Sequence, residues 1–192
     1  MRSFDPVIVG GRECAAWAAY YRHEWRRFLV SAVGMVRAGF GMSWPRTLTG
    51  AWCVLRANQV WAPYPDNDAE AARRHMRRFY TMVAADGQQS FDPAEAAARE
   101  VEWWRVHRCH QREENISEDD LTAALCALYS YVYEIADDAV REAAWQRVLA
   151  MRLSDEWVKA GCDLSSELLA GERRALVASY TALLDAVSAA QA

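Results

Sequence analysis

The chain has 192 residues, of which 53% are hydrophobic and 25% charged, and its net charge is −4. That length suffices for one domain that buries roughly two thirds of its unfolded surface. The composition excludes a disordered chain, and the acidic balance argues against the broad phosphate neutralisation by which proteins grip nucleic acid.

Lys159 is the sole lysine, so cationic positions fall to arginine, whose planar fork favours bidentate pairing. Five cysteines, Cys14, Cys53, Cys109, Cys126 and Cys162, form an odd set without a C-x-x-C pair. Such a set points to reduced thiols and a cytoplasmic protein. The longest apolar run, Phe28 to Val36, lies between Arg27 and Arg37, short of the ~20 residues a membrane span needs. Residues 1 to 11 also lack the order of a signal peptide.

In chain order, the spacing predicts an all-α fold of about seven helices in one domain. Residues 1 to 11 read as a short lead with an Asp-Pro turn. Arg12 to about Ala38 reads as one long helix whose stripe is Trp17, Tyr21, Phe28, Ala32 and Met35. A second helix starts at Ser43-Trp44-Pro45 and runs to Trp61, with Leu48, Trp52, Leu55 and Val60 as its apolar face. Ala62-Pro63-Tyr64-Pro65 forbids its continuation.

Asn67 and Glu70 fit a capping-box start for a third helix, Asp68 to Ala85, carried by Ala72, Met76, Phe79 and Val83. Asp92-Pro93 opens a fourth, to about Glu113, with Ala97, Val101 and Trp104 inward. Ser117 to Asp120 caps a fifth, with the stripe Leu121, Leu125, Leu128, Val132 and Ile135. A sixth from about Asp137 to Ala160, with Val140, Ala144, Val148 and Met151 inward, ends at Gly161, and Ser165 or Ser166 opens the last. No stretch alternates with the period of two that a strand requires. Short connections between helices imply a bundle or array.

One internal echo stands out. SFDPVIVGGRECAAW from residue 3 and SFDPAEAAAREVEWW from residue 90 share Ser, Phe, Asp, Pro, Arg, Glu and Trp in register. It reads either as a pseudo-repeat or as two helices using the same Asp-Pro start.

The functional candidates come from polar groups at apolar positions. Glu24 falls on the first helix's stripe, and Arg56 and Gln59 project within the second helix's face. The expected arrangement is Glu24 facing Arg56, with Tyr20 and Gln59 as hydrogen-bond partners, because burying either charge alone costs several kcal/mol. Such a pair either fixes helix register or lines a pocket near Trp52, with Glu24 as acid or base and Arg56 as anion clamp.

Asp66, Asp68 and Glu70 form one carboxylate group and Asp137, Asp138 and Glu142 a second, with Arg73 and Arg74 as nearby counter-charges. They resemble the aspartate-rich motifs of helical prenyl-diphosphate enzymes, which implies Mg²⁺ held against a phosphate, but the first group lacks the D-D-x-x-D pattern. Capping by the helix dipole is the simpler reading.

Glu100, Trp103, His107, His110 and Glu114 form a stripe on the fourth helix, opposite its apolar face and therefore expected to be wet or to cover a neighbouring chain. No metal site is assigned there, and no cofactor follows from the sequence. Trp61, Trp103 and Trp145 are expected to point outward from their stripes and to be buried against another copy or another helix pair. Two functions follow: a protein acting by self- or partner association as a homo-oligomer, or an enzyme whose polar pocket, between the first three helices, takes a small molecule or a metal. Neither nucleic acid nor membrane is expected as a partner.

Overall fold

The computed structural model describes residues 3–87, 89–112 and 115–190. Among them are eight α-helices and no strand: α1 (Pro6–Tyr21), α2 (Trp25–Phe40), α3 (Trp44–Trp61), α4 (Ala69–Gly87), α5 (Pro93–Arg112), α6 (Glu118–Tyr133), α7 (Arg141–Lys159) and α8 (Glu167–Ala189). Each helix packs on the one before and the one after, and α8 returns to α1, so the chain closes into a ring. Short connections make neighbours antiparallel. One end of the ring therefore collects the C-termini of α1, α3, α5 and α7, and the other their N-termini.

The helix beginnings follow local chemistry. Asp5 caps α1, its Oδ1 accepting from Val7 N at 2.9 Å and Ile8 N at 3.1 Å, with Pro6 in the first turn. Asp68, not Asn67, caps α4, accepting from Ala71 N at 2.8 Å. Ser117 and Asp120 form a reciprocal capping box at α6. Ser166 accepts from Leu168 N at 3.2 Å to open α8.

The long first helix expected from the sequence is two helices. Its first half begins at Pro6, inside the stretch read as a lead, and the chain reverses at Arg22–His23–Glu24, where His23 takes φ 56. No glycine or proline marks this corner. It is held by side chains: Glu24 receives Arg22 Nε at 3.0 Å and Arg27 Nη1 at 2.8 Å, and Arg22 Nη1 also reaches Cys162 O at 3.0 Å.

The face of α3 is also rotated from expectation. Leu48 and Trp52 are each 54% exposed, while Thr47, Ala51, Val54, Leu55 and Trp61 are buried. Elsewhere the predicted stripes hold: Ala72, Met76, Phe79 and Val83 of α4, Leu121, Leu125, Leu128 and Val132 of α6, and Val140, Ala144, Val148 and Met151 along α7 are all buried.

Closure creates a problem that the centre of the molecule solves. Eight helix axes about 9 Å apart on a circle leave a lumen too wide for aliphatic side chains to fill from the rim. The largest side chains point there instead: Trp17, Trp103 and Trp104 with Tyr80, Tyr129, Tyr133 and Arg147. No helix among the described residues is long and apolar enough to cross a membrane.

Candidate functional site

The lumen holds two matching carboxylates. Glu13 is the eighth residue of α1 and Glu100 the eighth of α5, helices that stand four places apart in the ring and that carry the echoing sequences. Each accepts a tyrosine hydroxyl from the preceding helix around the ring. Tyr180 Oη on α8 donates to Glu13 Oε2 at 2.7 Å, and Tyr80 Oη on α4 donates to Glu100 Oε2 at 2.8 Å.

Their neutralisation differs. Arg147 on α7 engages Glu13 with both terminal nitrogens, Nη2 to Oε1 and Nη1 to Oε2 at 3.1 Å, and Nη1 also donates to Tyr129 Oη at 3.2 Å. The guanidinium carbon lies 5.3 Å from the centre of Trp103 and 5.5 Å from that of Trp17, within cation–π range. Burial opposes the charge on Arg147, but Glu13 and the surrounding tyrosines hold it protonated. Glu100 has no guanidinium of its own. Trp104 Nε1 donates to its Oε1 at 3.1 Å. Burial pushes the Glu100 carboxyl above its ordinary value, against the pull of the Tyr80 hydrogen bond and the more distant Arg147.

The inner chamber around these groups has a volume of about 170 Å³. Toward the end of the ring where α1, α3 and α5 terminate, an outer chamber of about 230 Å³ opens. The two share the walls Trp17, Asn58, Trp103 and Trp104. The outer lining includes Tyr20, Trp61, Tyr64, His107, Arg108 and Arg112 and, among the described residues, has no aspartate or glutamate. Arg112 stacks on Tyr64 at 3.9 Å, and Arg108 lies between Trp61 at 5.4 Å and Tyr64 at 5.7 Å while donating to Tyr20 Oη at 3.1 Å. Behind the wall, Asp155 accepts from Gln111 at 2.5 Å and lies 3.4 Å from His107 Nε2.

Two buried donors along this channel, Trp103 Nε1 and Arg147 Nε, find no hydrogen-bond partner of normal geometry among the described residues, although Trp103 Nε1 lies near enough to Glu100 to favour its charged form. An unmet buried donor costs about 1–3 kcal/mol, and a ligand oxygen would satisfy it.

The expected pair is not formed. Glu24 sits at the α1–α2 corner with Arg22 and Arg27, whereas Arg56 donates to Gln59 Oε1 at 2.7 Å beside a shallow hollow at Pro63. The chain reversal at His23 removes Glu24 from the face on which a continuous helix would have put it. Of the other candidates only Tyr20 lines the channel. Trp52 faces solvent, Asp66 is exposed in the α3–α4 loop, Asp68 is a cap, and Arg73 pairs with Glu70.

The two carboxylate groups lie at opposite ends of the ring, one at the start of α4 and the other between α6 and α7, so they do not face one another across a site. The Glu100–Trp103–His107 stripe is not wet: Trp103 is buried and Glu100 and His107 are half-buried, because a helix in a closed ring turns a second face to the lumen. Glu113 and Glu114, counted with that helix, lie outside the described residues. No group of three or more metal-ligating side chains occurs among the described ones. Trp61 and Trp103 are likewise interior, and of the three expected outward tryptophans only Trp145 is exposed.

Glu13, Glu100 and Arg147 were not chosen from the sequence as catalytic or binding groups. One signal was present: the echo aligns Glu13 with Glu100 and Trp17 with Trp104. No family model, curated protein or solved structure matches this chain.

Proposed function

We propose that the chain binds a small, flat, anionic organic molecule in the central channel. Its charged end would lie at Arg108 and Arg112, its body among Trp17, Trp61, Trp103 and Trp104, and an acceptor atom would point inward toward Trp103 Nε1 and Glu100. The observation that carries this reading is the outer lining, which among the described residues sets arginines against aromatic faces with no carboxylate between them. Such a surface recognises carboxylate or phosphate on an aromatic body.

Glu100 supports a chemical step at the inner end. A carboxyl whose pKa burial has raised holds its proton more readily and can donate it to a ligand oxygen or carbon. Thermal shift with benzoate, indole carboxylates and phenyl phosphate tests the binding. Stabilisation by the anions but not by the matching amides is expected, with loss of the effect in Arg112→Gln. Equal shifts for anion and amide would remove the assignment. Under this reading, Glu100→Gln keeps binding and abolishes turnover of whichever ligand the parent consumes.

A second reading, self-association, is favoured by a different surface from the one expected. Trp44, Leu48 and Trp52 of α3 are 59%, 54% and 54% exposed and recur every fourth residue, an apolar stripe that could pair with its own copy about a twofold axis. A sedimentation profile that is dimeric for the parent and monomeric for Trp52→Glu supports this, and a monomeric parent at micromolar concentration removes it. The thiols are all free, which favours a reducing, cytoplasmic setting. The matched carboxylates also favour the sequence echo being the mark of a doubled four-helix unit.

A further inference from the structure

On the outside of the ring, α1 is a sunken helix. At Gly10 an added Cβ would stand 2.9 Å from Val177 N, so the absence of a side chain is what lets the α8 backbone approach so closely. The outer line of α1 continues with Gly11, Ala15 and Ala18, too short to fill the space between the flanking walls of α2 and α8. The result is a groove of about 1030 Å³, separate from the central channel. It follows α1 from Gly11 to Arg22, about 16 Å of helix axis at 1.5 Å per residue.

The charge of this groove opposes that of the whole protein. Among the described residues its lining carries five arginines and a single carboxylate, Glu24, which is already tied to Arg22 and Arg27. Arg26 on one wall and Arg173 and Arg174 on the other make no ion pair among the described residues. Both walls also begin at the Arg22 end, where α2 starts at Trp25 and α8 at Glu167, and against the single C-terminus of α1 these two helix N-termini leave a small positive potential there. Val30, 65% exposed, and Leu164, 51% exposed, offer apolar contact along the rim.

We propose that this groove docks an acidic amphipathic helix of a partner protein, about three turns long. The apolar stripe of that helix would lie over Ala15 and Ala18, its carboxylates would meet Arg26, Arg173 and Arg174, and its C-terminus would point toward Arg22. The shape favours a helix over a flat anionic surface, because the arginines face one another across a trough and the floor between them is uncharged.

The test uses the full chain and a fluorescent amphipathic peptide about three turns long, with leucines on one face and glutamates on the other, beside a twin carrying glutamine for glutamate. Fluorescence anisotropy at low salt is expected to show saturable binding of the acidic peptide, roughly tenfold or more tighter than the twin and weakened by added salt. The pair Arg173→Glu and Arg174→Glu should abolish binding. Ala15→Trp, at an exposed place where it fills the floor without entering the core, should abolish it too. Unchanged thermal melts would show that both variants fold.

Absence of saturable binding, equal binding of the twin, or indifference to Ala15→Trp would each overturn the proposal. So would an RNA oligonucleotide or anionic vesicles that bind the parent more tightly than the peptide does and are lost in Ala15→Trp.

Discussion

Glu13 and Glu100 stand at the same place in their helices, each take a tyrosine hydroxyl from the preceding helix, and both lie in the lumen, yet one meets a guanidinium and the other does not. The difference lies two helices back around the ring from Glu13. Arg147 is the seventh residue of α7, and the seventh residue of α3 is Gly50, beside which the Phe79 ring fills the space. One half of the ring thus spends its carboxylate on a closed ion pair, while the other leaves a carboxyl held only by neutral donors. Fixed charge in a low-dielectric interior makes structure when paired and makes chemistry available when not. A third buried carboxyl, Glu172 on α8, extends the series: it lies near Cys14 and Ser154 without a hydrogen bond of normal geometry to either.

The largest expected effect comes from breaking the paired member. Arg147→Met leaves Glu13 charged and stranded, and such a break costs about 3–5 kcal/mol. Chemical denaturation should read it as a large fall in midpoint at unchanged slope. Adding Glu13→Gln to Arg147→Met should restore most of the loss, since the cost lies in the orphaned charge. If the double variant is as unstable as the single one, Arg147 acts through its packing on Trp17 and Trp103 instead, and the contrast between the two halves is not electrostatic.

Next comes Glu172, whose carboxyl burial raises from 4.5 to about 8. A raised acid binds its proton more tightly in the folded state. Its contribution to stability is therefore complete below the unfolded value and is lost as pH climbs from 4.5 to about 8. Glu172→Gln should match the parent near the bottom of that window and exceed it by about 2–4 kcal/mol at the top. Melting temperatures across pH decide this. Parallel curves for parent and variant would show that Glu172 is ionised in the folded protein and satisfied by water.

Glu100→Gln should repeat that sign at smaller size, because Tyr80 and Trp104 already donate to the carboxyl and reduce the penalty of its charge. The gain should again grow as pH rises above the ordinary carboxylate range. A variant whose loss of stability grows as pH rises above the ordinary carboxylate range would mean that Glu100 is ionised and anchors those donors, which would remove it as a proton source.

The order of these effects also marks what the sequence could disclose. Helix type and most buried stripes follow from spacing, and caps such as Ser117 with Asp120 follow from residue type, because both are local. The corner at His23 is not local. It carries no breaker, the apolar stripe runs through it, and its hold on Cys162 comes from the far end of the chain. Reading Asp5-Pro6 by the logic applied to Asp92-Pro93 would have started α1 correctly and exposed the corner as the end of an ordinary-length helix. The lumen was hidden for a second reason: periodicity assumes one buried face per helix. Closing a ring gives α5 a second, so Glu100, Trp103 and His107 looked like a wet stripe.

The smallest effect is expected at Gly50, which holds on α3 the place that Arg147 holds on α7. At Gly50 an added Cβ would meet Phe79 Cδ2 at 3.3 Å, Phe79 Cε2 at 3.4 Å and Val36 Cγ1 at 3.5 Å. Replacing a mid-helix glycine with alanine gains about 1 kcal/mol from backbone entropy, so the sign depends on whether the ring can yield by a few tenths of an ångström. Phe79 is wedged, with Phe40 edge-on at 5.2 Å and Tyr80 at 5.4 Å. Because Tyr80 is also the donor to Glu100, displacing the ring transmits strain toward the unpaired carboxyl. Gly50→Ala should therefore come out neutral to destabilising by about 1 kcal/mol, the propensity gain being offset by overpacking. A clear gain in melting temperature would mean that Phe79 moves freely, and the missing guanidinium would then reflect no steric demand at α3.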